Sequence, residues 1–219
     1  MLSAIGTHGP TVSPIVIGLL NTVFLTVAVW LLVKPQKNSE TWFLPLLLFV
    51  GLATLSRIAL SFIPNVMPVT IMAVMVGSKF GAQRGVSFAI LVTFASNAVL
   101  GHGWWSLFQM IGWGSVAAVA SLMSVHDSSG NLSMNRLLFS SLWSVPIFSI
   151  IVSFSILDSS MSIIEFGLYV ANGLLYDVLH FLGNVFFAMW FGQWFERLLS
   201  MNEPHNRLVQ QENEHVSTF

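Results

Sequence analysis

Long apolar stretches broken by short polar ones decide what this chain can fold into. A helix needs about 20 predominantly apolar residues to cross a hydrocarbon core about 30 Å thick. Seven segments between polar or Gly/Pro breaks are candidates for such helices: 14–33, 43–63, 67–83, 85–100, 104–123, 136–157 and 166–196. Only 8% of the 219 residues are charged, which is too few to cover the surface of a soluble domain of this size. The sequence therefore predicts an all-α polytopic membrane protein that spans the lipid bilayer seven times.

Composition also narrows the classes of function. The chain has no Cys, so disulfides and thiolate metal sites are excluded. Its formal net charge of -1 gives no reason to expect a nucleic-acid partner. The first ten residues, MLSAIGTHGP, lack the positively charged region that opens a cleaved signal peptide. We therefore expect the first apolar segment to stay in the protein, as an extra N-terminal transmembrane helix within residues 1–36.

The distribution of Lys and Arg predicts the orientation in the membrane, because positively charged short loops stay cytoplasmic. The loops at 64–68, 101–103 and 158–165 contain no Lys or Arg. In a seven-span topology, seven of the eight basic residues lie on the opposite side from these loops: Lys34, Lys37, Lys79, Arg84, Arg136, Arg197 and Arg207. The N-terminus is therefore expected outside a cytoplasmic (cell) membrane. The polar tail of residues 199–219 is expected inside, as a disordered cytoplasmic end.

The eighth basic residue, Arg57, lies inside the second segment. A charged side chain near the centre of a transmembrane helix costs at least about 2.5–3.5 kcal/mol, so it usually has a partner or lines a cavity. Asp177 in the seventh segment lies at a matching depth, and it shares an arc of about 60° with His180 and Asn184. We therefore predict an Arg57–Asp177 ion pair with His180 nearby, in the outer half of the bilayer.

Further polar or amphipathic residues are expected at the same depth. Trp105, Gln109 and Trp113 repeat every four residues from the outer end of the fifth segment. Asn97 closes the fourth segment, and Asn65 lies in the Pro-rich loop between the second and third segments. Each has a structural alternative, because Trp is common in interfacial belts and Asn or Gln often joins transmembrane helices. Their convergence on one level predicts a substrate-binding cluster that faces the outside.

Sequence motifs for catalysis are missing. No G-x-x-x-x-G-K-[ST] stretch is present, so the chain has no recognisable nucleotide site of its own. The stretch GWGSVA lacks the second glycine of a G-x-S-x-G nucleophile turn, and Asp177 is the one convincing membrane carboxylate. No two His residues have the i, i+4 spacing that favours zinc binding. We therefore expect no enzymatic activity, no bound metal and no cofactor.

Three glycines spaced by four, Gly77, Gly81 and Gly85, flank the short turn between the third and fourth segments. Small residues at this spacing let helix backbones approach closely. We interpret them as packing residues.

The stretches SRIALSFIPNVMPVTIMAVMVGSKFG and GHGWWSLFQMIGWG resemble the substrate-binding S components of energy-coupling factor (ECF) transporters. The shared pattern is an Arg near a helix end, a P-N-x-x-P segment, a short helix ending in G-x-x-F-G, and a Gly/Trp-rich loop before a Q-M-x-x-W-G helix. YDVLHFLGN, from Tyr176 to Asn184, resembles the D-x-x-H-x-x-G-N pattern in the last helix of one subgroup. The resemblance covers residues 43–198.

The resemblance implies a six-helix domain over residues 43–198 that binds a vitamin or cofactor precursor from outside, with Tyr176 added to the predicted cluster. It also implies a coupling membrane subunit and two cytoplasmic ATPases that energise uptake. Cobalamin or one of its precursors is the best guess for the cargo, with other vitamins, queuosine-type precursors and haem-like ligands as alternatives. Two features depart from the family pattern: the extra N-terminal segment, and a first core helix without the Ala-x-x-x-Ala face that docks the coupling subunit.

Two other functions stay open on the sequence alone. A membrane-embedded enzyme or assembly factor would use Asp177 and His180 for proton transfer. A solitary proton-coupled carrier would move its substrate without any ATPase.

Overall fold

The computed structural model of the chain describes residues 5–6, 9–10, 12–34, 42–157 and 161–202. A two-residue antiparallel pairing joins Ile5–Gly6 to Gly9–Pro10. Seven α-helices form most of the rest: α1 (Pro14–Val33), α2 (Phe43–Ala59), α3 (Val69–Phe80), α4 (Ala82–Leu100), α5 (Trp104–Ala120), α6 (Met134–Ser153) and α7 (Ile163–Leu199). The prediction of a helical bundle is confirmed. Lys37, Arg207 and the tail beyond residue 202 lie outside the described ranges, as does most of the first ten residues.

Within the described ranges, three stretches are long and apolar enough to cross a membrane: Pro14–Val33, Met134–Ile156, in which a 3-10 turn extends α6, and Ile163–Leu199. The helices α2 and α3 are apolar but shorter, with 17 and 12 residues. At 1.5 Å per residue, α7 is about 55 Å long, almost twice the hydrocarbon thickness of about 30 Å. Length and composition therefore support insertion of this chain into a membrane.

Several helix ends differ from the predicted segments. The second segment was expected to continue to residue 63, but α2 ends at Ala59. Asn65 has a φ of 59°, in the left-handed region, and Pro68 directly precedes α3. A left-handed residue cannot continue a helix, and a proline lacks the N–H that would extend the hydrogen-bonded ladder. Residues 60–68 therefore form turns between two helices that are shorter than expected.

The start of α7 is fixed by a capping box. Ser162 Oγ accepts from the N–H of Glu165, and the Glu165 carboxylate accepts from the N–H of Ser162 (2.7 Å). This reciprocal pair satisfies two N–H groups that a helix start leaves without partners. The helix therefore begins three residues before the predicted residue 166.

The centre of the bundle is α3, in which every residue from Val69 to Gly77 is buried. A Cβ atom at Gly77 would collide with the carbonyl oxygen of Ala117 on α5, and one at Gly85 on α4 would lie 2.7 Å from the Ala117 Cβ. Gly81 has a φ of 86° and reverses the chain between α3 and α4. The predicted packing role is confirmed for Gly77 and Gly85, where the absence of a side chain lets α3, α4 and α5 pack closely.

The helix α1 lies at the periphery and contacts mainly α4. Ala28 is buried, and its carbonyl oxygen accepts from Ser87 Oγ at 3.1 Å. Near the other end of α1, the Asn21 side-chain nitrogen lies 3.4 Å from Nδ1 of His102. Burial lowers the pKa of His102, so the neutral ring can accept a hydrogen bond from that amide. Most large apolar residues of α1 stay exposed, including Trp30 at 58%, as expected for a helix that faces lipid.

A polar network ties the α5–α6 connection, residues 121–133, to the ends of α3 and α7. Lys79 Nζ lies 2.6 Å from one carboxylate oxygen of Glu196, and His126 Nε2 lies 3.2 Å from the other. Arg136 donates to the carbonyl oxygen of His126. This end of the bundle holds Lys79 and Arg136, which the charge distribution predicts to be cytoplasmic.

Replacing Gly77 with Ala tests the close approach of α3 and α5. The added methyl group has no space beside the Ala117 carbonyl, so the free energy of unfolding should fall by about 1–3 kcal/mol. Thermal unfolding of the detergent-solubilised protein measures the change. Gly51→Ala is the matched control, because a Cβ at Gly51 meets nothing within 4 Å and Ala favours a helix. Equal melting temperatures of the two variants would contradict the packing described here.

Candidate functional site

Arg57 joins three helices near the end of α2. Its side chain is 5% exposed and donates through Nη1 to Ser96 and to Asn97 Oδ1 (2.6 Å), and through Nη2 to Gln109 Oε1 (3.0 Å). The Asn97 amide nitrogen in turn donates to Ser106 Oγ (2.8 Å) and to Gln109 Oε1 (3.0 Å). We call these five residues the Arg57 network. It links α2, α4 and α5 through hydrogen bonds only.

The predicted Arg57–Asp177 ion pair is wrong. In the described part of the chain no carboxylate lies within ion-pair distance of Arg57, and its Nη groups donate to neutral oxygens. The sequence argument matched the two residues by depth along their helices, but depth does not determine the direction of a side chain around the helix axis. Arg57 faces α4 and α5, whereas Asp177 lies on the face of α7 that turns toward α6.

A second buried layer lies between α3, α5 and α7. Thr70 Oγ1 accepts from the indole N–H of Trp113 (3.0 Å) and lies 2.7 Å from His180 Nε2. Nδ1 of His180 has no hydrogen-bond partner in the described ranges, and neither has any side-chain atom of Asn184, which is fully buried one turn further along α7. Buried polar atoms usually have partners, so these are places where a water molecule or a ligand group would be favourable.

A cleft of about 500 Å³ opens between the α2–α3 connection, the second half of α6 and the first half of α7. The Asn65 amide donates across it to the carbonyl oxygen of Tyr176 (3.2 Å). Its walls combine a few apolar side chains with hydroxyl, amide and carboxylate groups: Pro64, Asn65, Phe148, Ser149, Val152, Ser153, Tyr169, Asn172, Gly173, Tyr176 and Asp177. We call this space the α6–α7 cleft.

Phe148 forms the floor of the α6–α7 cleft. Its ring stacks on Trp113 with centroids 4.7 Å apart and meets His180 edge to face at 5.2 Å. The Arg57 guanidinium lies 5.1 Å from the other aromatic ring of this stack, that of Trp113. Phe148 therefore lines the cleft and contacts Trp113 and His180 of the layer beneath, and Trp113 in turn contacts Arg57.

The predicted site residues do not form one cluster. The α6–α7 cleft is lined by three of them, Asn65, Tyr176 and Asp177. The buried set beneath it consists of Trp113, His180 and Asn184, and the Arg57 network includes Arg57, Asn97 and Gln109. The remaining residue, Trp105, packs half-buried against Gly103, away from the cleft. Whether each of these residues contacts a ligand stays a prediction.

Sequence reasoning identified three of the eleven residues that line the cleft, Asn65, Tyr176 and Asp177, and missed the other eight. Tyr169, Asn172 and Gly173 share the face of α7 that carries Asp177, so extending the polar stripe outward by two turns would have found them. Phe148 gave no such signal, because an aromatic residue in an apolar helix has the appearance of an ordinary core residue. Its role follows only from the packing of α6 against α5 and α7.

Comparisons of the chain with models of protein families, with curated proteins and with solved structures found no match.

Two substitutions distinguish the observed network from the predicted ion pair. Asp177→Asn should not lower the free energy of unfolding, because Asp177 does not pair with Arg57. Asn97→Leu should lower it by about 1–3 kcal/mol, since Arg57, Ser106 and Gln109 each lose a buried hydrogen-bond partner. Thermal unfolding in detergent at pH 7 measures both. A strong destabilisation by Asp177→Asn, of the size expected on breaking a buried ion pair (about 3–5 kcal/mol), would support the predicted Arg57–Asp177 ion pair instead.

Proposed function

We propose that this protein is the substrate-binding membrane subunit of an uptake transporter for a vitamin or cofactor precursor. The observation that carries the proposal is the α6–α7 cleft at one end of a bundle of apolar helices. Ligand sites are typically concave, with volumes of about 300–1,000 Å³, and hold a small number of polar groups among apolar ones. The cleft has these properties, and its polar groups converge from three separate parts of the chain.

The proposed topology has seven spans, with residues 43–198 as the substrate-binding domain and α1 as an added helix. The charge distribution supports an outward-facing cleft, because the loop at 64–68 has no Lys or Arg while Lys79 and Arg136 lie at the opposite end of the bundle. The short helices α2 and α3 would cross the bilayer within a packed bundle, where neighbouring helices cover their ends.

The source of energy in this proposal is a separate module. The sequence has no nucleotide-binding motif, so a membrane coupling subunit and cytoplasmic ATPases are the partners proposed from the ECF resemblance. The first core helix, α2, lacks the Ala-x-x-x-Ala face of that family, so we propose that docking involves a different surface.

The volume of the α6–α7 cleft limits the size of the ligand that it can hold. Cobalamin was the best guess from the resemblance, but a cleft of about 500 Å³ favours a smaller ligand than a whole corrinoid. We therefore propose a vitamin or precursor of the size of a single or fused heterocycle. Tyr169 and Tyr176, each about half exposed, offer ring faces for such a molecule.

A membrane-embedded enzyme is the weaker candidate. That function would need Asp177 and His180 to act on one substrate, but Asp177 lines the cleft while His180 lies below Phe148 with its Nε2 beside Thr70. Two proton-transfer groups must both reach the reacting atoms. The burial of His180, which is 3% exposed while Asp177 lines the cleft, supports binding over catalysis.

The test is direct binding of a panel of vitamins and their precursors to the purified, detergent-solubilised protein. We expect one compound to bind saturably, and Tyr169→Ala and Asp177→Ala to weaken it at least about tenfold, as expected for buried contacts worth more than about 1.4 kcal/mol. Leu175→Ala is the matched control on the same helix, because Leu175 is 68% exposed and does not line the cleft. The control should bind with wild-type affinity.

Uptake into cells then separates the transport mechanisms. Uptake that stops on ATP depletion and continues with a protonophore supports the separate ATPase module, whereas the reverse pattern supports a solitary proton-coupled carrier. If no compound of the panel binds, or if the cleft variants bind as well as Leu175→Ala, the proposed capture site is wrong.

A further inference from the structure

We propose that the α6–α7 cleft is selective for small organic cations, with the carboxylate of Asp177 as the counter-charge and the cleft's aromatic rings as the surface for the body of the cation. This inference rests on the proposed function, because it names the class of substrate that the cleft would capture.

Asp177 is the first reason for a cationic ligand. Among the described residues that line the cleft it carries the only charge, and within the same part of the chain it has no hydrogen bond and no ion pair. A carboxylate at the edge of a membrane bundle is costly without a partner. A positively charged ligand would supply the partner that the chain itself does not provide.

The basic residues of the bundle are too enclosed or too remote to attract an anion to the cleft. Arg57 is 5% exposed and lies behind Trp113, with its Nη groups donating to the network oxygens. Lys79 is bound to Glu196 near the last residues of α7, far along that helix from Asp177. An anionic ligand in the cleft would therefore meet one negative charge and no accessible positive charge.

A metal ion fits the cleft poorly. Stable metal sites need several carboxylate or imidazole ligands, and the described ranges contain no group of three or more His, Cys, Asp or Glu residues placed to share an ion. An organic cation has different needs, because aromatic faces attract a charged nitrogen and cover the apolar body attached to it. Tyr169 and Tyr176, 44% and 50% exposed, together with Phe148 on the floor, provide those faces.

The remaining polar groups suit the same ligand. The amide of Asn65 already donates to the Tyr176 carbonyl, which leaves its side-chain oxygen as an acceptor. Asn172 and the hydroxyl groups of Ser149 and Ser153 add hydrogen-bonding capacity along the wall. A protonated amine carries several N–H donors, and acceptors beside a carboxylate satisfy them.

The absence of Cys from the sequence allows a sharp test. In Gly173→Cys a single thiol enters the cleft one helical turn from Asp177, at a position where a Cβ meets nothing within 4 Å. Two methanethiosulfonate reagents are compared, one with a trimethylammonium group and one with a sulfonate group. In both reactions the thiolate attacks the sulfenyl sulfur, a disulfide forms and methanesulfinate leaves. Each rate is divided by the rate of the same reagent with 2-mercaptoethanol.

We expect the cationic reagent to react with Gly173→Cys at least about tenfold faster than the anionic reagent, as for one unit charge a few ångströms away in a partly solvated site. Adding Asp177→Asn should bring the ratio close to one. Gly167→Cys is the matched control, because it lies on the same helix, also has open space around its Cβ, and does not line the cleft. Its ratio should be the same with and without Asp177→Asn, because the nearby Glu165 contributes equally in both backgrounds.

The outcomes separate this inference from the proposed function. Equal rates of the two reagents at Gly173→Cys, or a cation preference there that Asp177→Asn does not reduce, would overturn the cation selectivity and leave an accessible capture cleft. No reaction at Gly173→Cys with either reagent, while Gly167→Cys is labelled, would show a closed cleft and overturn both proposals. Labelling of each variant after denaturation confirms that the thiol is present.

Discussion

The contact between the Gly77 backbone and the Ala117 carbonyl sets the arrangement of the whole bundle. It holds α3, only 12 residues long, at the centre, with α4 and α5 at distances that any larger residue would prevent. A helix enclosed on all sides can carry polar residues only where neighbours provide hydrogen bonds. Thr70 is such a residue, and its partners His180 and Trp113 come from two other helices. The position of α3 therefore fixes the layer beneath the cleft.

Two charged residues within the apolar helices, Arg57 and Asp177, have different surroundings. Arg57 is withdrawn from solvent and held by amide and hydroxyl oxygens of α4 and α5, so its positive charge is spread over several dipoles. Asp177 stays half-buried at the edge of the α6–α7 cleft. Phe148 lines the cleft and stacks on Trp113, and Trp113 lies against Arg57, which is 5% exposed. This separation gives a cleft with one sign of charge and an interior that is held by hydrogen bonds.

The two ends of the bundle also differ. At one end of the bundle, Glu196 bridges Lys79 of α3 and His126 of the α5–α6 connection. At the other end, the bundle opens into the α6–α7 cleft. A partly buried ion pair with a short distance is stabilised by weak solvent screening, so it resists opening of the helices at that end. In the proposed transporter, the open end would receive the substrate and the fastened end would face the cytoplasm.

The sequence by itself determined the helical membrane class, the approximate positions of all seven helices and the close-packing glycines, because hydrophobic length and the spacing of small residues are local properties. It also identified the stripe of Asp177, His180 and Asn184 on α7, since a stripe on one helix depends only on the 3.6-residue period. The partner of Arg57, the floor formed by Phe148 and the division of the predicted site into a cleft and two buried layers were decided by the tertiary structure. These features depend on how each helix is rotated about its axis and on which helices it contacts. Both are determined by packing between side chains that lie far apart in the sequence.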